Sequence, residues 1–154
     1  MLPWLLAAVV GAGGPEGTLT IRSGALEATM GAKNAWTVMT LRYEGTPVTI
    51  DAGGQGAIIA PAGGDWIGGA MTAGGEEQVQ SLTIAVDGEQ MQAAPAQILR
   101  GEEIVVTKTS TLASVRQTAV TRFQPGMMVA EHRLTFTQDV DLRSLYPFIY
   151  SFSP

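Results

Sequence analysis

The stretch 115-VRQTAVTRFQPGMMVAEHRLTF-136 decides the fold. Placing Pro125-Gly126 at a turn sets Gln124 opposite Met127. Phe123 then faces Met128, Thr121 faces Ala130, Ala119 faces His132, Gln117 faces Leu134 and Val115 faces Phe136. Those pairs share one face and are mostly apolar. The opposite face pairs Arg122 with Val129, Val120 with Glu131, Thr118 with Arg133 and Arg116 with Thr135, and so carries all four charges of the two arms. Successive side chains of a strand point to opposite sides, so a slip of one residue would mix the two sets. The alternation predicts a β-hairpin in this register, covering a core on one side only. Pro-Gly is not the favoured two-residue hairpin turn; a four-residue loop over 124–127 would keep the same facing.

The rest of the chain keeps this rhythm. Runs rich in Val, Ile, Thr and aromatics predict strands at 18–23, 26–30, 35–43, 48–51, 79–86, 97–100, 103–109, 115–123, 127–137 and 145–152. Turn residues separate them: Glu44-Gly45-Thr46-Pro47, Asp87-Gly88, Arg100-Gly101 and Pro125-Gly126. No segment sustains a helical period, and no internal repeat is evident. The expectation is an all-β antiparallel β-sandwich, one domain over 15–154. The apolar run 145-LYPFIYSF-152 lies close to the last residue, Pro154. It fits either a central strand or an incomplete part of a larger supersandwich, and the second reading is favoured slightly.

Composition narrows the function. A chain of 154 residues with 45% hydrophobic content can bury a real core. The net charge is −5 and the nine basic residues are scattered, which argues against nucleic acid and against an anionic membrane surface. The absence of cysteine excludes disulfides, thiolate zinc sites and cysteine nucleophiles. Residues 2-LPWLLAAVV-10, followed by Gly11-Ala12, are similar to a secretory signal spanning 1–14, although no Lys or Arg precedes the apolar run. That predicts a secreted or periplasmic protein with no membrane insertion after its removal. A buried first strand is the competing reading.

The glycines concentrate between positions 52 and 75, in AGGQGAIIAPAGGDWIGGAMTAGG, which holds nine of the nineteen. Such a density predicts a long irregular loop, the kind of segment that often carries a site. No phosphate-loop or dinucleotide pattern occurs in it. Its Trp66 either stacks on a sugar ring or plugs the loop onto the sheet. Asp65, Glu76 and Glu77 could supply polar contacts to the same ligand. Their spacing, with Asp51, matches no calcium loop, and adjacent Glu76 and Glu77 would face opposite ways on a strand, so no metal is expected. Trp36 opens a strand-like run and is expected in the core.

His132 is the only histidine. On the apolar face of the hairpin, with Gln117 diagonal to it, it reads either as a ligand-contacting or general-base imidazole lining a concave sheet or as a core histidine bonded to Gln117 or to a backbone carbonyl. The core reading is preferred. A lone histidine excludes a His-cluster metal site, and no G-x-S-x-G element accompanies it.

Asn34-Ala35-Trp36, the Gly-rich Trp stretch, the 79–86 strand with Asp87-Gly88 and the His132-Arg133-Leu134 strand together resemble the opening half of a galactose mutarotase-like supersandwich. The likeness is one of strand rhythm and composition. It implies a saccharide on a concave sheet. The leading expectation is binding or recognition of that saccharide without a complete active site, and no cofactor is expected. The alternatives are a fragment of a carbohydrate-active epimerase or lyase with His132 as base, and a structural interaction domain with no small ligand.

Overall fold

The structure, a computed structural model, describes residues 17–50, 56–69 and 77–149. The signal-like segment, Glu76 and residues 150–154 lie outside them. The chain is all-β, as the alternation predicts. Strands β1 (Thr18–Ser23), β2 (Leu26–Gly31), β3 (Thr37–Tyr43), β4 (Thr46–Pro47) and β9 (Gln97–Arg100) form one sheet in the order β4-β3-β2-β1-β9. A second sheet runs β12-β11-β10-β7-β8, from β7 (Gln78–Val86), β8 (Glu89–Met91), β10 (Ile104–Leu112), β11 (Val115–Gln124) and β12 (Met127–Phe136). A smaller third sheet orders β13 (Leu142–Ile149), β5 (Gly56–Pro61) and β6 (Ile67–Gly68) as β13-β5-β6. The pairings are antiparallel except that of β1 with β9.

The two larger sheets pack face to face. Leu19, Ile21, Ala28, Met30, Trp36 and Val38 of the first meet Leu82, Ile84, Ile104, Val106 and Phe123 of the second in one core. The third sheet closes one end, where Ile59 packs on Leu112 and Val115, with Ile67, Leu134 and Leu142 around them. β10 and β11 alternate buried with less buried residues along their length, so each gives one stripe to the interior.

The β11–β12 hairpin has the register its sequence implies, from Val115↔Phe136 to Gln124↔Met127. Pro125-Gly126 is a two-residue turn. Gly126 takes a φ of 76°, and a proline fixes its own φ near −65°, the combination of a type II turn. Trp36 is 2% exposed and lies in the core, as expected.

The Gly-rich stretch departs from the loop expectation. Residues 56–61 are a strand, and Gly56 to Ala60 are all buried. It pairs with β6 on one side and with β13 on the other. Glycine serves close approach here: a Cβ on Gly68 would lie 2.5 Å from the Ala57 carbonyl oxygen. The apolar segment 57-AIIA-60 supplies the core contacts that the glycine count conceals. Two other boundaries shift. The expected strand at 48–51 is replaced by β4, after which Thr49 Oγ1 accepts from the Leu41 amide at 2.9 Å. The expected strand from 35 begins at Thr37, because Ala35 and Trp36 both have left-handed backbones (φ 49° and 56°).

Gly68→Ala should therefore cost about 1–3 kcal/mol by overpacking. Gly64→Ala, whose Cβ would meet nothing nearer than 3.6 Å, should change stability by no more than about 0.5 kcal/mol. Chemical denaturation of the two variants checks the pair.

Candidate functional site

The interior stripe of β10 reads Ile104, Val106, Lys108, Ser110, Leu112, so two polar side chains stand where the alternation puts apolar ones. Lys108 is 3% exposed. Its ammonium lies 2.7 Å from Glu77 Oε1 and donates to the Ala35 carbonyl at 2.7 Å. The Ser110 hydroxyl donates to the same Glu77 oxygen. Gln117, the cross-strand partner of Ser110, is 2% exposed, and its Nε2 lies 3.4 Å from His132 Nδ1. Polar side chains thus line up from half-buried His132 to a fully enclosed ion pair.

Backbone irregularities bring these groups together. Along β7, Leu82 and Ile84 face the core. Opposite Thr109 and Ser110 the register then jumps from Ser81 to Val79, leaving Gln80 as an extra residue. That bulge reverses the alternation, so Val79 and Glu77 turn inward while Gln78 and Gln80 are exposed. Without it, Glu77 would point to solvent. A second bulge at Met39 does the same for β3, so that Val38 as well as Leu41 faces inward. Between β2 and β3, the turn Ala32–Asn34 leads into the left-handed pair Ala35-Trp36. Such a backbone costs a residue with a Cβ about 1–2 kcal/mol. A hydrogen bond from an ammonium contributes on the order of 1.5–3 kcal/mol, enough to offset much of it.

The row Leu82, Lys108, Ala119, His132 crosses four strands. Ala119 is its smallest member, and beside it opens a cavity of ≈ 20 Å³ lined by Trp36, Val38, Lys108, Ala119, Thr121 and His132. That is room for about one water molecule. Burial pushes the Lys108 amine below its ordinary value, and Glu77 opposes the shift without reversing it. Burial also pushes the His132 imidazole down; the Lys108 charge adds to this and the Glu77 charge resists it.

The residues singled out from the sequence separate accordingly. His132 makes the Gln117 contact of the core reading, yet it also lines a cavity, beside Lys108. Glu77 is 6% exposed and its side chain is enclosed, so it is not a surface ligand contact. Glu76 lies outside the described residues. Asp65 is exposed and Trp66 half-buried, just before β6.

Trp66 both packs on the sheet and presents a ring. Ile59 faces the core, so Ile58 and its partner Tyr146 lie on the outer face of the third sheet, as does Trp66, one residue before Ile67. The Trp66 and Tyr146 rings are 5.5 Å apart and inclined at 31°, and the Arg143 guanidinium carbon lies 5.5 Å from the Trp66 ring centre. Tyr146 is 47% exposed. A larger groove of ≈ 580 Å³ lies elsewhere, against Gly17, Thr18, Gly31, Lys33, Met39 and Pro95. Among the described residues no group of three or more His, Asp or Glu side chains is placed to hold a metal, and no helix is long and apolar enough to cross a membrane.

Comparison with known protein families, with curated proteins and with solved structures found no match.

Two predictions follow from the buried pair. Lys108→Met strands the Glu77 charge and should destabilise the fold by about 3–5 kcal/mol, whereas adding Glu77→Met should recover at least half of that loss; denaturant midpoints measure both. His132 sets a pH dependence. Its folded pKa is lowered from the ordinary 6.5, so the unfolded chain binds the proton more readily. Stability is full above the ordinary value and falls as pH drops from about 6.5 toward the carboxylate range. His132→Asn should flatten that decline in a pH series of thermal melts.

Proposed function

We propose that this protein recognises a saccharide on the outer face of its third sheet, without carrying out chemistry on it. The observation that carries this reading is the pairing of half-buried Trp66 with exposed Tyr146, flanked by Arg143 and Asp65. An aromatic face packs well against the C–H face of a sugar ring, and planar polar groups beside it can take the hydroxyls. Trp66 and Asp65 remain ligand-contact candidates, Tyr146 and Arg143 join them, and Glu77 and His132 are left to the interior. Secretion, and membership of a larger carbohydrate-related β-protein, belong to the same proposal.

An epimerase or lyase reading gains less support. It requires His132 in a reachable cleft near Asp65 or Glu76. His132 instead lines a cavity of ≈ 20 Å³, far smaller than a sugar ring.

A glycan array followed by calorimetric titration of the best neutral and acidic oligosaccharides tests the proposal. Trp66→Ala and Tyr146→Ala should each weaken binding about tenfold or more. Unchanged binding in both, with loss in a Met39→Trp variant, would move the site to the larger groove. No binding to any glycan would leave the interaction-domain alternative standing.

A further inference from the structure

Two buried acceptor atoms of the interior cluster have no hydrogen-bond partner: Glu77 Oε2 and Gln117 Oε1. Each such orphan has lost its water without a replacement, and the cost is greatest beside a charge. Their residues flank Ser110, from β11 on one side and from the start of β7 on the other. Gln117 is the cross-strand partner of Ser110, and Glu77 receives its hydroxyl. The amide nitrogen of Gln117, the one group there with two donors, is turned instead to His132 Nδ1 at a long 3.4 Å. That contact requires Nδ1 to carry a lone pair.

A half-turn of the amide changes all three terms together. Oε1 then faces the imidazole and accepts from an Nδ1–H. The NH2 group moves to the place Oε1 held and becomes free to donate. The Gln117 orphan disappears with no change of backbone, and a donor is left over for Glu77 Oε2. We infer that Gln117 adopts this orientation and links His132 Nδ1–H through its amide to Glu77 Oε2, forming a relay from the β12 edge to the Glu77–Lys108 pair. A proton taken up at His132 is then felt at the buried pair through bonded contacts. In this arrangement Nδ1 is a donor in the neutral and in the charged ring, so Gln117 supports the imidazolium; in the opposite orientation the amide NH2 opposes it.

The charged groups that act on His132 include Lys108, on β10, and Glu77, just before β7. From β11 it meets Ala119 and Gln117, and from the other sheet Trp36 and Val38 line the same cavity. The relay is independent of the saccharide reading, since it uses no residue of the outer-face platform.

The experiment is NMR on uniformly 15N,13C-labelled full chain, and the single histidine makes it unambiguous. Long-range 1H–15N correlations of neutral His132 should show the proton on Nδ1; a proton on Nε2 with bare Nδ1 would overturn the inference. Gln117→Met, nearly the same volume without polar atoms, reads the sign. Loss of a supporting acceptor should lower the His132 titration midpoint, while loss of an opposing donor would raise it. The Glu77 carboxyl 13C signal should also follow the His132 titration in the parent protein and cease to follow it in Gln117→Met. A Glu77 signal that tracks His132 equally in both would sever the relay, leaving only a field effect through space. Should Gln117→Met fail to fold, the tautomer of the parent protein still decides.

Discussion

An ammonium and a carboxylate held 2.7 Å apart in the interior between two sheets impose more on this structure than any other contact. Neither charge can be left alone there, because desolvation costs each ion several kcal/mol. The surrounding backbone is arranged to answer that demand. The bulge at Gln80 turns Glu77 inward, the left-handed Ala35-Trp36 pair accompanies a carbonyl aimed at Lys108, and Ser110 adds a second donor to the carboxylate. Small Ala119 leaves the space beside them. Two backbone irregularities around one ion pair indicate a built polar centre, since an apolar core of the same size would need neither.

The arrangement also divides the molecule by role. Interior polar groups sit between the large sheets, within reach of a water-sized cavity and of His132 at a half-buried edge. Exposed aromatics sit on the third sheet, which closes the end of the sandwich. β5, drawn from the Gly-rich stretch, positions the platform: β13 with Tyr146 pairs along one edge and β6, preceded by Trp66, along the other. The glycines around it permit close packing at Gly68 and a tight turn at Gly63, which takes a φ of 73°. That turn leads the chain back so that Trp66 lies over the same sheet face as Tyr146.

Much of the framework was legible because strand alternation is a short-range rule. The β11–β12 pairing could be written residue by residue, since its charges segregate to one face. The same rule, applied to 104-IVVTKTSTL-112, puts Lys108 and Ser110 in the stripe of Ile104, Val106 and Leu112, and so could have marked the polar centre. Glu77 could not be placed that way. Its direction depends on a bulge, and nothing local to Gln80 announces one. The strand at 56–61 was hidden for a different reason: tertiary pairing on both edges outweighs the entropic cost of the glycines beside it. Tyr146 falls in the apolar run 145–152 and Arg143 just before it, and only the pairing of β13 with β5 brings them to Trp66.

Native-state labelling of lysine tests the central claim most directly. The chain has two lysines, exposed Lys33 and buried Lys108. Reductive methylation of the folded protein, read by peptide mass spectrometry, should convert Lys33 and leave Lys108 untouched until denaturant is added. Equal modification of both in the folded protein would contradict a core organised around a buried Lys108–Glu77 pair.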